Sequence, residues 1–212
     1  MNLVLEKAEL DIELQICMVE EGPFGKRISH PLVNDLFYVP EMNSHYNKML
    51  AHKKEECAKA LADGDFGAYI FWHERPWRAE KLYAIASQIP AKDYWPLVAS
   101  VWMDSENIWQ NKRLWKKLLT AKVPNRELLM KPKDKRIFKA LCKEEVITLY
   151  RGHDGAKGDP KGFSWTTDYA KAEWFARRFK SDKYKIESKQ VPTSKIIAYL
   201  DGRNEKEVIW IP

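Results

Sequence analysis

A chain of 212 residues, 45% hydrophobic and 31% charged, has the balance of a folded protein of one large domain or two small ones, which excludes intrinsic disorder. Its apolar runs fall far short of the ~20 residues that cross a bilayer. The formal charge of +6 is uneven: residues 1–50 hold four Lys or Arg against eight Asp or Glu and carry −4, leaving +10 on the remainder. That split suits a polyanion, an acidic protein surface or ordinary solvated faces.

Along the chain, Met1-Asn2-Leu3-Val4-Leu5-Glu6 reaches an acidic residue with no basic segment and apolar core before it, so no secretory signal is expected and the expected location is cytoplasmic, with no membrane partner. Cys17, Cys57 and Cys142 are odd in number and form no Cys-x-x-Cys pair, and they are expected to be buried free thiols. Residues 46–62 are predicted as a helix ending at the turn signal Asp63-Gly64-Asp65-Phe66-Gly67. Residues 76–89 and 92–120 are predicted as further helices, the second with Trp102 and Trp109, and Ile108 and Trp115, each seven apart in an aromatic stripe that reads as core. A short basic helix is predicted over 132–143.

Strand signals then take over. Val146–Tyr150, Lys195–Leu200 and Glu207–Ile211 are β-branched and aromatic runs, and Ala172, Phe175, Ala176 and Phe179 mark an amphipathic helix between them. The outline is an α+β chain: a helical region over 1–145 that completes the core of a strand-rich region over 146–212.

Familiar chemistry is mostly missing. The cluster Gly152-His153-Asp154-Gly155-Ala156-Lys157-Gly158 is not followed by Gly-Lys-Ser/Thr, and no Gly-x-Gly-x-x-Gly occurs. His45 and His52 are seven apart without a third ligand at a suitable offset, so packing is expected and no metal. His73, beside Glu74 and Arg75, reads as a buried polar latch between helices.

Three pieces of the last third carry more. Leu149-Tyr150-Arg151-Gly152 ends a strand with an arginine, whose planar fork suits phosphate, and a glycine, where a ligand can approach the backbone. Gly162-Phe163-Ser164-Trp165-Thr166-Thr167 is a hydroxyl-bearing strand leading into a helix, one hydroxyl of which could instead cap that helix. In Arg203-Asn204-Glu205-Lys206-Glu207-Val208-Ile209 the two carboxylates share parity, so in extended chain they project to one side about 7 Å apart.

In this order the three motifs resemble the R-S-E class of mono-ADP-ribosyltransferases, the arginine-specific, C2-toxin-like and vertebrate ecto-enzyme group, over residues 146–212. The resemblance implies an ADP-ribosyltransferase-like fold with two small packed β-sheets and a helical N-terminal portion, NAD as substrate, no metal, and transfer of ADP-ribose to a protein arginine. It implies that Arg151 holds a phosphate or ribose of NAD and that the Gly152 backbone meets the nicotinamide amide. Ser164, with Trp165 and Thr166 in the remaining motif positions, lines the cofactor site, and Ser164 orients Glu207, the catalytic glutamate. Glu205 is then the residue that faces the acceptor. Ser164-Trp165-Thr166 departs from the family's Ser-Thr-Ser, and 67 residues are few for the fold. The helical region resembles the extension on some phage and prophage proteins, which implies a phage-encoded toxin or effector acting in a host cytoplasm. Hydrolysis of NAD, transfer to a nucleic-acid base and an inactive binding module are the alternatives.

Overall fold

The computed structural model describes residues 8–20, 25–106, 108–155, 161–178 and 182–212. They form a mixed α+β chain that divides into two compact units, Met1–Ile85 and Ala86–Pro212, each with one antiparallel sheet. The division therefore falls at residue 85, and the helices between 86 and 145 share a unit with the strand-rich tail. Phe179, Asn107 and the 156–160 part of the glycine cluster lie outside the described residues. No helix among the described residues is long and apolar enough to cross a membrane.

The first unit is not wholly helical, contrary to its sequence reading. A short helix α1 (Ile12–Gln15) leads into a three-stranded meander, β1 (Met18–Glu20), β2 (Lys26–Ser29) and β3 (Asn34–Asp35), in which Val19 pairs with Arg27 and Ile28 with Asp35. Strands of two to four residues are too short to show a period of two, so no pattern announces them. Three helices follow: α2 (Asn43–Ala62), α3 (Phe66–Trp72) and α4 (Arg78–Ile85). The expected turn at 63–67 is real but brief, since the Asp65 carboxylate accepts from Ala68 N at 2.8 Å and starts α3 at once. Leu14, Ile28, Val33, Tyr46 and Leu50 form the core, with Tyr69 and Trp72 against it.

Two histidines of this unit have packing partners. His52 packs edge-on to Trp72 at 5.7 Å. His73 is buried, its Nδ1 meets the Tyr69 carbonyl at 2.8 Å, and Arg78 Nε donates to the His73 carbonyl at 2.9 Å, which joins α3 to α4. Of the three cysteines, all free, only Cys57 is buried; Cys17 is half-buried and Cys142 is exposed, which corrects the expectation of three buried thiols.

In the second unit the predicted 92–120 helix is two helices, α5 (Ala91–Asp104) and α6 (Lys112–Leu119). Ser105 turns extended, with ψ at 133°, and its hydroxyl donates back to the Val101 carbonyl at 2.7 Å. This break cancels the heptad stripe. Trp102 and Trp115 are fully buried and meet edge to face at 4.9 Å, whereas Trp109 in the connection is 67% exposed. Trp95 and Tyr94 complete the core of these helices. The Trp95 indole donates to the Pro124 carbonyl at 2.9 Å, and the Tyr94 hydroxyl donates to the Leu118 carbonyl at 3.0 Å; burial pushes the Tyr94 phenol up to about 12.

After α7 (Pro132–Leu141) come β4 (Val146–Asp154), β5 (Ser164–Thr166), α8 (Tyr169–Arg177), β6 (Tyr184–Pro192), β7 (Ile196–Leu200) and β8 (Glu207–Trp210). The sheet order is β6-β4-β5-β8-β7, antiparallel throughout. Strand β6, which no motif marked, pairs with β4 over nine residues from Val146 opposite Pro192 to Asp154 opposite Tyr184. Helix α8 is capped by Asp168, which accepts from Ala170 N and Lys171 N, so the strand hydroxyls are left for other work.

Gly152 is where α8 crosses β4. A Cβ there would stand 1.8 Å from the Ala172 carbonyl oxygen and 2.6 Å from Ala176 N, both backbone atoms that have no rotamer to yield. The close approach this glycine permits is therefore that of a helix. Gly152→Ala should destabilise the second unit by about 1–3 kcal/mol through overpacking, read as a lowered urea midpoint with an unchanged slope; an unaltered midpoint would show that α8 does not rest on this strand.

Candidate active site

The sheet order places β4, β5 and β8 side by side, and these strands carry Arg151, Ser164 and Glu207 in turn. Ser164 pairs with Ile209, Trp165 with Val208 and Thr166 with Glu207. Because side chains alternate along a strand, Ser164, Thr166 and Glu207 share one face while Trp165 and Val208 take the other.

Glu207 is the chemical centre of this arrangement. It is 4% exposed, and its Oε1 accepts from the indole Nε1 of Trp102 at 3.1 Å. The Ser164 side chain hydrogen-bonds the same carboxyl. Burial pushes the carboxyl above its ordinary value; the two hydrogen bonds and the Arg203 charge pull it back down, and Glu205 pushes it further up. Burial wins, so the group holds its proton more tightly than an exposed glutamate. Its partner Trp102 read as core in the sequence, which it also is. Nothing in a tryptophan's spacing reveals that its N–H will meet a carboxylate 105 residues later.

Arg151 reaches the same strand from the other side. Its Nη1 donates to the Ser164 carbonyl, and its guanidinium lies over Gly162, where a Cβ would stand 2.2 Å from Nη2. Gly162 thus makes room for the arginine, a role the motif alone did not suggest. Ser164 consequently holds Arg151 through its backbone and Glu207 through its side chain.

Glu205 corrects the expectation based on parity. Strand β8 begins only at Glu207, and the two residues flanking Glu205 are left-handed, Asn204 at φ 56° and Lys206 at φ 49°. The segment is a turn, so Glu205 and Glu207 do not project from one extended strand. Left-handed backbone is strained for lysine, and several contacts hold it. Lys206 N donates to Asp201 Oδ1 at 3.1 Å, Lys206 Nζ pairs with Asp168 at 2.8 Å, and the Thr166 hydroxyl donates to the Glu205 carbonyl at 3.2 Å. The Glu205 carboxylate is paired with Arg203 at 3.2 Å and still acts on Glu207 electrostatically.

Two residues expected to line a cofactor site have other partners. Trp165 is 2% exposed, its indole donates to the Gly162 carbonyl at 2.7 Å, and its ring meets Trp210 edge-on at 5.1 Å. Thr166 is buried and its hydroxyl, besides reaching Glu205, accepts from Asp168 N at 3.1 Å. The structure thus brings Ser164, Glu205 and Glu207 together and makes Thr166 the tie between β5 and the Glu205 turn; because Tyr150 pairs with Thr166, Arg151 starts from the opposite face, that of buried Trp165, and meets this group through the Ser164 carbonyl. No group of three or more metal-ligating side chains occurs among the described residues. Comparison with family models, with curated proteins and with solved structures finds no match for this chain.

The raised Glu207 carboxyl has a signed consequence for stability. A group whose folded-state pKa lies above its unfolded value stabilises the fold most below the unfolded value, and that contribution is lost as pH rises through the folded one. The unfolding free energy of the wild type, measured against that of Glu207→Gln in urea titrations, should therefore decline as pH rises from its ordinary value of 4.5. A difference that stays flat or rises with pH would mean that the carboxyl is not sealed in this environment.

Proposed function

We propose that the chain transfers ADP-ribose from NAD to an acceptor, most readily a protein arginine, and releases nicotinamide. The observation that carries this reading is the double hold of Ser164, through its side chain on Glu207 and its carbonyl on Arg151, across three adjacent strands. The hold of the Ser164 side chain on Glu207 is the part of it that the R-S-E resemblance implies.

The chemistry follows from charge. Breaking the bond between C1′ of the ribose and the nicotinamide nitrogen sends the electron pair to nicotinamide, which leaves neutral, and develops positive charge on the sugar. A carboxylate on the ribose 2′-hydroxyl stabilises that charge, the role of Glu207. Ser164 and Trp102 each donate to this carboxylate and so favour its ionised form against the burial that opposes it. Arg151, which the resemblance assigns to a phosphate of NAD, has the forked cation for it and would have to leave the Ser164 carbonyl to use both arms. At 4% exposure Glu207 meets a ribose only after the Trp102 indole or the turn at 201–206 shifts, which makes closure over the substrate part of the reaction.

Glu205 is fitted to the acceptor because it already holds a guanidinium, that of Arg203. A nitrogen of an incoming arginine would form the new bond to C1′ and give its proton to the carboxylate. Arg203 then competes with the acceptor. The same pairing, together with the turn that separates Glu205 from β8, favours NAD hydrolysis as the second reading, in which water replaces the guanidinium.

Glu207→Gln should lower nicotinamide release by about 10²–10³-fold, the scale of removing one preorganised electrostatic contact, with NAD affinity by calorimetry little changed; wild-type release rates would remove this residue from the reaction. Glu205→Gln should abolish labelling of an arginine-bearing protein by radioactive NAD while slow nicotinamide release continues. If labelling persisted, or if the label were found on a base, transfer to arginine would be wrong. Arg203→Ala should increase labelling severalfold at low acceptor concentration, chiefly through a lower KM for the acceptor, because the resident guanidinium is gone.

A further inference from the structure

The strongest feature that the proposed reaction does not use is a groove of about 650 Å³ in the second unit, lined by Trp109, Lys112, Arg113, Lys116, Lys161 and Phe163 among others. Its origin is legible from the helix upward. In α6, Lys112-Arg113-Leu114-Trp115-Lys116-Lys117-Leu118-Leu119, the buried positions Trp115, Leu118 and Leu119 take one face and leave the cations on the other. Lys112 and Lys116 are one turn apart, about 6 Å along the axis. Lys161 comes from a segment 45 or more residues later and lines the same groove, so the basic character is not that of one solvated helix face alone. Among the described lining residues there is no Asp or Glu.

Two aromatic rings accompany these charges. Phe163 is buried at the groove wall, with Lys112 Nζ 5.3 Å from its ring centre. Trp109, in the connection where the predicted helix breaks, is 67% exposed. An exposed indole among spaced cations is poorly explained by solvation, which favours the cations but not the ring.

We propose that this groove binds single-stranded nucleic acid, with the cations of α6 and Lys161 along the phosphates and a base stacked on Trp109. Cations that track a backbone, combined with an aromatic platform, are the two elements of such sites, because every base has a π-face and every step a charge. A volume of this size admits a nucleotide or two and excludes a duplex. An acidic peptide would satisfy the cations but bring nothing for the indole. The chain beyond residue 50, with its net +10, adds a long-range attraction of the same sign. This inference does not rest on the transferase reading.

The test uses the full chain without NAD and fluorescently labelled oligonucleotides, single-stranded and duplex, of equal length, followed by anisotropy across a salt series. Single strands should bind in preference to duplex, with log K falling against log salt at a slope of about −2 to −3, as expected for three to four neutralised phosphates at ~0.7 each. Trp109→Ala should weaken single-strand binding about tenfold, Trp109→Phe should restore most of it, and neither should change any nicotinamide release. Arg113→Ala with Lys116→Ala should flatten the slope by about 1.4. Glu207→Gln should bind like the wild type, which separates this site from the proposed reaction. Binding unaffected by Trp109→Ala, equal binding of duplex or of heparin, displacement by NAD, or loss of binding in Glu207→Gln would each overturn the proposal.

Discussion

A single carboxyl group governs the architecture of the second unit. Glu207 sits at the start of β8 with almost no exposed surface, and a buried carboxyl is tolerated only where donors meet it. One donor comes from α5 and the other from β5, so the helix and the two strands are fixed relative to one another by the needs of one side chain. The rest of the neighbourhood follows from that fixation. Trp102 is held by its edge-on contact with Trp115, which ties α6 to the same point. Thr166 ties the Glu205 turn to β5, and Gly152 lets α8 lie directly on β4. Polar satisfaction and apolar packing thus act through the same few residues.

This double use sets up a tension in the proposed chemistry. Burial strengthens every electrostatic contact a carboxylate makes but also favours its protonated form, and only the ionised form opposes the charge on an oxocarbenium ion. Two neutral donors moderate the conflict without cancelling the charge, as an adjacent lysine would. A cation that acts on Glu207 at a distance, Arg203, is engaged with Glu205. A site balanced in this way responds strongly to small movements of the indole or the turn.

The sequence revealed what depends on local pattern. The 46–62 helix, the strands at 146, 196 and 207, and the amphipathic helix after Thr167 each show enough periodicity or β-branched content to be read directly. It concealed what depends on distance or on brevity. The strands of the first unit are too short to alternate visibly, and β6 mixes lysines with apolar residues because only part of it is covered. The Trp102–Trp109–Trp115 spacing looked continuous because a serine that ends a helix by bonding its own preceding turn leaves no mark on hydrophobic periodicity. At the candidate site, Arg151, Ser164 and Glu207 were legible as motif residues, whereas Trp102 and Gly162 were not. The Glu205–Glu207 parity misled for a physical reason: alternation holds only in extended chain, and left-handed residues at 204 and 206 break it.

The bond between Trp102 and Glu207 spans 105 residues, and that separation bears on how the protein is made. Helix α5 leaves the ribosome long before β8 exists, so for that interval its indole N–H has no carboxylate to meet, and β5 and β4 have no β8 to complete their ladder. Contacts between residues so far apart in sequence require closure of a long loop before they return any stabilisation. Local helices need no such closure, whereas the carboxyl is enclosed only once β8 has been made. Enclosure of the candidate site therefore waits on β8, and a chain that stops short of residue 207 lacks the carboxyl that Trp102 meets.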